Sequence, residues 1–211
     1  CGLRCAEDRR TGQKRARKNS LGLSVIVTAY RSPETLRACV DRLVSDGAVT
    51  QILVVDCSET PPDLPVPITR VPVGTPVPVM RWSMLPHVKE PVVACLEGRC
   101  VPPPNWGETI LSAHTKYPHA NAIGGAVALG PNARFVDEVV WLSEYAAFAP
   151  PLADREAEDI SGAHLSYKTE ALRSERDLID DGAWEINGAK MWVTNGLMSS
   201  LCFVLVKTDP S

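Results

Sequence analysis

From residue 23 onward, short runs of aliphatic and β-branched residues alternate with stretches in which apolar positions return every three or four residues. Leu23 to Thr28 is the first run and has the length and composition of a buried strand. It is followed by Ser32-Pro33-Glu34, where Ser suits a helix cap, Pro the first helical position and Glu the positive end of the helix dipole. Leu36, Val40, Leu43 and Val44 then recur at helical spacing as far as Gly47, and a second apolar run, Gln51 to Val55, ends on Asp56. Strand, helix and strand in this order predict a βαβ unit, for which a parallel sheet is the economical arrangement.

Seven prolines between Pro61 and Pro78 exclude a long helix or a central strand there, and leave room for a short edge strand around Ile68 to Val71. Val92 to Leu96 predicts a third buried strand, running into Glu97-Gly98-Arg99-Cys100. After Pro102-Pro103-Pro104 a helix from Asn105 carries Trp106, Ile110, Leu111 and His114 on one side. Ala122 to Leu129, with Gly124-Gly125, predicts another strand that a backbone or ligand approaches closely, and Val136 to Phe148 predicts an amphipathic helix packed face-inward on the core and ended by Pro150-Pro151. Beyond residue 172 the rhythm changes. Trp184 to Ile186, Lys190 to Thr194 and Phe203 to Lys207 are separated by two Asn-Gly turn signals, which predicts a β meander. The expected fold class is therefore α/β: a mainly parallel sheet with helices on both faces over residues 22–172, followed by a short C-terminal β meander over 173–211.

Charge adds a third segment. The first 20 residues hold seven Lys/Arg against two Asp/Glu, leaving 15 Lys/Arg against 23 Asp/Glu for the rest of the chain. Residues 1–21 read as a basic, solvated arm, and the acidic body argues against a nucleic-acid partner, which requires a basic face on the folded part. Peripheral contact with an anionic membrane remains open through the arm and through Val136, Val139, Val140, Trp141, Tyr145, Ala146 and Phe148. No apolar run approaches the roughly 20 residues of a spanning helix, and the start lacks the apolar region of a signal peptide. A chain opening on Cys1 suggests a piece of a longer reading frame. The seven cysteines are scattered, with no CxxC pair and no His at zinc-finger spacing, which favours reduced thiols and a cytoplasmic location over a structural zinc site.

In open α/β sheets, ligands bind beyond the carboxyl ends of the parallel strands. Three polar clusters fall at such ends: Thr28-Ala29-Tyr30, Asp56-Cys57-Ser58-Glu59 and Glu97-Gly98-Arg99. A carboxylate there accepts hydrogen bonds from a base or ribose, a tyrosine stacks and a second carboxylate holds a divalent cation on a diphosphate, a set that suits a nucleoside diphosphate. Each residue taken singly also suits the capping of a turn or helix.

Four segments in order, Ser24 to Tyr30, Val54 to Ser58, Met80-Arg81-Trp82 and Ala94 to Trp106, followed by Gly124-Gly125 and Ser161 to Tyr167, resemble the family 2 glycosyltransferases of the GT-A fold over about residues 22–172. The resemblance implies transfer of a sugar from a nucleotide sugar, commonly UDP-linked, to an acceptor hydroxyl. It makes Thr28, Tyr30 and Asp56 nucleobase and ribose contacts and Arg81 a contact on the nucleotide side. The family's Asp-x-Asp, which holds Mn²⁺ or Mg²⁺, is here Glu97-Gly98-Arg99. Glu97 is thus the candidate metal ligand, and Arg99 is a candidate to neutralise the diphosphate directly, either beside a metal or instead of one. The general base lies downstream in the family, where Glu175, Asp177, Asp180 and Asp181 are the available acids.

Residues 181–210 resemble a different family, the acyl-CoA dehydrogenases, over part of their middle β-domain, with Trp192 and Thr194 in the segment that lies against the flavin. That stretch lacks the rest of a flavin site and any candidate base, so FAD binding is not expected. The two likenesses meeting near residue 173 give the chain the look of a chimera, and they leave two alternatives to a glycosyltransferase: an acyl-CoA dehydrogenase fragment or a non-catalytic nucleotide-binding module.

Overall fold

The computed structural model describes residues 22–157 and 159–174. Strands β1 (Leu23–Ala29), β2 (Val49–Asp56), β3 (Ile68–Arg70), β4 (Val92–Glu97), β5 (Ala122–Gly124) and β6 (His164–Lys168) form one six-stranded sheet in the order β3-β2-β1-β4-β6-β5. The first four run parallel, and β6 is antiparallel to both β4 and β5. Among the described residues the helices are α1 (Pro33–Ser45), α2 (Val77–Met84), α3 (Trp106–Lys116), α4 (Phe135–Tyr145) and α5 (Thr169–Ser174), with 3₁₀ turns at Leu85–His87 and Ala146–Phe148.

The sheet is organised around β1, whose seven residues are all buried. Val25, Val27 and Ala29 face Leu36, Cys39, Val40 and Leu43 of α1 together with Trp106 and Ile110 of α3. Ile26 points the other way, with Val55, Val93 and Cys95, onto Met80, Met84 and Leu85. Alternation along a strand covered on both sides explains why the sequence reads as a continuous apolar run. Burying each such side chain contributes about 1.5–3 kcal/mol.

Several expectations need correction. The proline-rich segment ends in a helix: Pro76 stands at the N-cap of α2 and Pro78 in its first turn, where a missing N–H leaves no hydrogen bond unmade. Ser161 to Tyr167 contains a strand, β6, whose alternation of polar and apolar residues is too short to register as one in the sequence. The strand expected through Leu129 stops at Gly124, after a single further bond from the Gly125 amide to the His164 carbonyl at 3.2 Å. Helix α4 does not turn an apolar face into the core: none of its residues is buried, Phe135 is 80% exposed, and Val136, Val139, Val140 and Leu142 also face outward. The basic arm, the C-terminal meander and the candidate bases Glu175, Asp177, Asp180 and Asp181 lie outside the described residues.

Helix α3 shows how a cap can come from afar. Asn105 precedes it in a left-handed conformation (φ 59°) and its side chain makes no capping bond. Asp46, just past α1, does the work instead, accepting the Gly107 amide at 2.8 Å on one oxygen and the Ala48 amide at 3.1 Å on the other. A Cβ on Gly107 would stand 3.1 Å from that carboxylate and 3.2 Å from Ala48 Cβ, so the close approach favours glycine. Asp46→Ala is expected to destabilise the domain by about 1–2 kcal/mol and Asp46→Asn by less, since an amide oxygen still accepts. Urea unfolding of the two variants checks the order, and equal midpoints for Asp46→Ala and the parent chain would refute it.

Candidate functional site

The carboxyl ends of β1, β2 and β4 are brought level by the register of the sheet, which pairs Thr28 with Glu97 and Ala29 with Asp56. Two backbone bonds continue the pairing past the strands, from the Gly98 amide to the Thr28 carbonyl at 2.7 Å and from the Cys57 amide to the Ala29 carbonyl at 3.1 Å. A Cβ on Gly98 would lie 3.0 Å from Leu36 Cδ1 and 3.3 Å from that Thr28 oxygen, so the turn after β4 closes tightly onto β1. The Thr28 hydroxyl points inward and donates to the Leu96 carbonyl at 3.3 Å. Tyr30 is 48% exposed, with the Arg31 guanidinium 5.0 Å from its ring centroid.

Asp56 has no exposed surface. One oxygen accepts the Ser58 hydroxyl at 2.6 Å and the Ser58 amide at 3.3 Å, and the other accepts the guanidinium of Arg70, its neighbour in register on β3. Arg70 also donates to the Ser58 carbonyl. The Ser58 oxygen in turn accepts the amide of Arg31 at 2.9 Å, a residue held in the left-handed region at φ 48°. The Arg31 side chain pairs with Glu59, and the hydrogen bond from that guanidinium lowers the Glu59 carboxyl to about 2. The loops after β1 and β2 and the end of β3 are thereby tied into one polar network.

Around β4, the Arg99 Nε donates to Glu97 at 3.0 Å. Tyr145, at the end of α4, lies near both: burial, then the Glu97 and Glu144 charges, push its hydroxyl pKa up. Arg81 on α2 donates to the Gly162 carbonyl at 2.7 Å, and its Nε is buried without a hydrogen-bond partner. His164 stands opposite Leu96. The Trp106 indole can only donate, so the His164 Nε2 at 2.9 Å must accept, and Nδ1 carries the proton that it gives to the Ala126 carbonyl at 3.1 Å. A second indole, Trp141 of α4, donates to the Val127 carbonyl at 2.9 Å. The imidazole lies so close over Gly125 that a Cβ there would run into the ring.

The strand ends thus carry three carboxylates, Asp56, Glu59 and Glu97, each ion-paired with its own arginine, Arg70, Arg31 and Arg99. Arg81 is a fourth cation and Glu144, beside Tyr145, a fourth acid, so arginines match acids one for one at this end of a chain of net charge −3. A divalent cation requires several oxygen ligands. Glu97 is committed to Arg99, and among the described residues no three His, Cys, Asp or Glu side chains gather in a way that could hold a metal. The described side chains at the strand ends do not make up the set of oxygen ligands that Mn²⁺ or Mg²⁺ requires. Sequence reasoning placed Thr28, Tyr30, Asp56, Glu97 and Arg99 at one end of the sheet, where the structure has them; it did not pick out Arg31, Arg70 or Tyr145. Arg70 was within reach, because the edge strand predicted over Ile68 to Val71 puts it opposite Asp56. A groove of about 470 Å³ lined by Gln51, Leu53, Thr69, Met84, Pro86, His87, Val88 and Lys89 lies elsewhere, toward the amino ends of β2 and β4.

The fold has counterparts among solved structures. The mannosyltransferase PcManGT from Pyrobaculum calidifontis, solved in complex with GDP-Man and Mn²⁺, superposes with a TM-score of 0.50 at 17% identity over 74% of this chain and 47% of that one. The chain has a GT-A-like fold. Staphylococcus aureus TarS, residues 1–349, matches with a TM-score of 0.50 at 14% identity over 74% of this chain and 49% of that one. Glucosyl-3-phosphoglycerate synthase from Mycobacterium tuberculosis gives 0.47 at 15% identity, over 77% of this chain and 62% of that one. This GT-A-like chain spans about half the length of the first two. No family model and no curated protein matches it. The segment that resembles acyl-CoA dehydrogenases lies outside the described residues.

Two histidines set an acid limit on this arrangement. His114 is buried, with Nε2 3.0 Å from the Ser166 hydroxyl, and burial followed by the Lys168 charge lowers its pKa below 6.5. Burial likewise lowers His164, with the bond to Ala126 acting the other way. A base whose folded pKa is depressed takes up its proton first in the unfolded chain. Its stabilisation is therefore complete above about pH 6.5 and is lost as pH falls below that value toward the folded pKa. The Glu59 carboxylate, lowered from 4.5 to about 2, gives up its contribution only in more acidic solution. Thermal midpoints are expected to fall as pH drops below about 6.5, and His114→Asn should flatten the slope. A parent chain with a level profile across that window would refute the assignment of neutral histidines.

Proposed function

We propose that residues 22–174 bind a nucleotide sugar at the carboxyl ends of β1, β2 and β4, and that the intact protein transfers the sugar to an acceptor hydroxyl. The observation that carries this reading is the set of arginines, paired with acids and exposed in part, at the strand ends of a GT-A-like sheet. An exposed guanidinium held in place is a donor set for an anion. Arg99, 67% exposed at its side chain, and Arg81, with an unused Nε, are the two cations flanking β4 and β6.

In glycosyl transfer the acceptor oxygen forms a bond to the anomeric carbon as the bond to the diphosphate oxygen breaks, the electron pair leaves with the nucleoside diphosphate, and the hydroxyl proton passes to a carboxylate base, for which Glu175, Asp177, Asp180 and Asp181 are the candidates. Negative charge grows on the leaving group, and guanidinium groups fixed beside it favour that change without moving. Arg99 is partly held by Glu97 and reaches outward with its remaining N–H groups. Arg81 is anchored to the Gly162 carbonyl, which fixes it against the turn leading into β6. In this proposal the arginines take the place that a divalent ion holds beside Asp-x-Asp, and the donor is bound without metal.

Calorimetric titration of the chain with UDP and with GDP, each with and without Mn²⁺, tests the proposal. Binding of one nucleotide with an affinity that Mn²⁺ leaves unchanged is expected, and Arg99→Ala should weaken it by about tenfold or more, since a hydrogen bond to a charged group is worth about 1.5–3 kcal/mol. Absence of binding to both would sink the nucleotide reading. Binding that appears only with Mn²⁺ would restore Glu97 as a metal ligand and remove the metal-free version. Retained binding with no transfer to any acceptor would reduce the chain to a nucleotide-binding module.

A further inference from the structure

The Asp56 carboxylate cannot meet a nucleoside as the structure stands. It has no exposed surface, Ser58 saturates one oxygen through its hydroxyl and amide, and Arg70 takes the other. Arg70 is the group that lies between that carboxylate and solvent: its side chain is 37% exposed, and of its five N–H groups one is given to Asp56 and one to the Ser58 carbonyl. The bonds to Asp56 and to the Ser58 carbonyl hold the guanidinium from both Nη atoms and leave its other N–H groups without a hydrogen bond among the described residues, on a side chain that is partly exposed.

We infer that Arg70 is the specificity-determining residue for the base of the nucleotide, selecting keto bases over amino bases, and that Asp56 acts through it as a positioning residue. The inference rests on the nucleotide-binding reading above. A guanidinium offers donors and no acceptor, so where it faces the edge that distinguishes the bases it pairs with O4 of uracil or with O6 of guanine and meets the N4 amino group of cytosine or the N6 amino group of adenine donor to donor, the O2 carbonyl being common to both pyrimidines. Exposed Tyr30, with the Arg31 guanidinium 5.0 Å from its ring centroid, follows β1, two strands from β3 at the same end of the sheet, and supplies an apolar face that does not distinguish the bases.

The ratio of affinities for UDP and CDP, measured by calorimetry, is the decisive readout, because a purely structural role for Arg70 would change both affinities together. The parent chain is expected to bind UDP about tenfold more tightly than CDP. Arg70→Ala strands a buried acid and can unfold the chain, so the informative variant is the pair Asp56→Asn with Arg70→Met, which removes both charges and keeps the bulk of the stem. In that variant the ratio is expected to collapse to about one, and Arg70→Lys, which keeps the charge but not the fork, should lie between. Arg99→Ala should lower both affinities and leave the ratio intact. A parent ratio near one, or a ratio preserved in the folded double variant, overturns the inference and leaves nucleotide binding standing. Failure of the parent to bind any nucleotide overturns both.

Discussion

A carboxylate with no access to water must find its counter-charge inside the protein, and Asp56 finds it in Arg70. That requirement governs the strand ends. It explains why an arginine stands at the last position of a three-residue edge strand, where a short strand rimmed by prolines would otherwise have little reason to be held in register. It also recruits Ser58, and through the Ser58 hydroxyl the backbone of Arg31, so the loops after β1 and β2 are shaped by the need to satisfy one buried acid. Removing one partner of such a pair costs far more than the pair contributes as a unit, because it leaves an uncompensated charge behind. The network is consequently a source of defined geometry more than of stability.

The complete burial of β1 is the other half of the same design. A strand covered on both faces by α1 and α3 on one side and α2 on the other has no polar outlet except at its ends, and the sheet register delivers Thr28, Asp56 and Glu97 to the same end. Arg99, two residues after Glu97, bears on what that end is able to attract: with Glu97 and Arg99 paired, a side chain 67% exposed presents guanidinium N–H groups there. The turn itself depends on neither charged side chain, since it is made by Gly98 and by the Cys100 amide, which bonds the Glu97 carbonyl at 2.9 Å.

The parts of the fold legible in the sequence were those in which local pattern and final environment agree. β1, α1, β2, β4 and α3 each show either an unbroken apolar run or apolar positions at helical spacing, and each ends close to where its punctuation says it should. α2 was hidden because prolines usually argue against a helix and here occupy the cap and first turn, where they are harmless. β6 was hidden because it alternates His164, Ser166 and Lys168 with Leu165 and Tyr167, and its polar members are satisfied by partners distant in sequence: Ser166 by the Ile123 carbonyl and His114, His164 by Trp106 and Ala126. The same holds at the site. Residue types at strand ends were readable one at a time, whereas which acid pairs with which arginine depends on register across three strands.

The segment that carries α4 is attached in an unusual way. Two side chains reach it or leave it, the His164 ring to the Ala126 carbonyl and the Trp141 indole to the Val127 carbonyl, and a third bond joins the Val127 amide to the Phe148 carbonyl at 2.9 Å. On the loop every one of these contacts uses main-chain atoms. Positions 126 and 127 are therefore free to exchange side chains over evolutionary time without loosening the attachment, provided that residue 125 stays glycine beneath the imidazole. A rim with that kind of attachment can diversify its exposed face, and with it the molecules it meets, while the sheet beneath it is left unchanged.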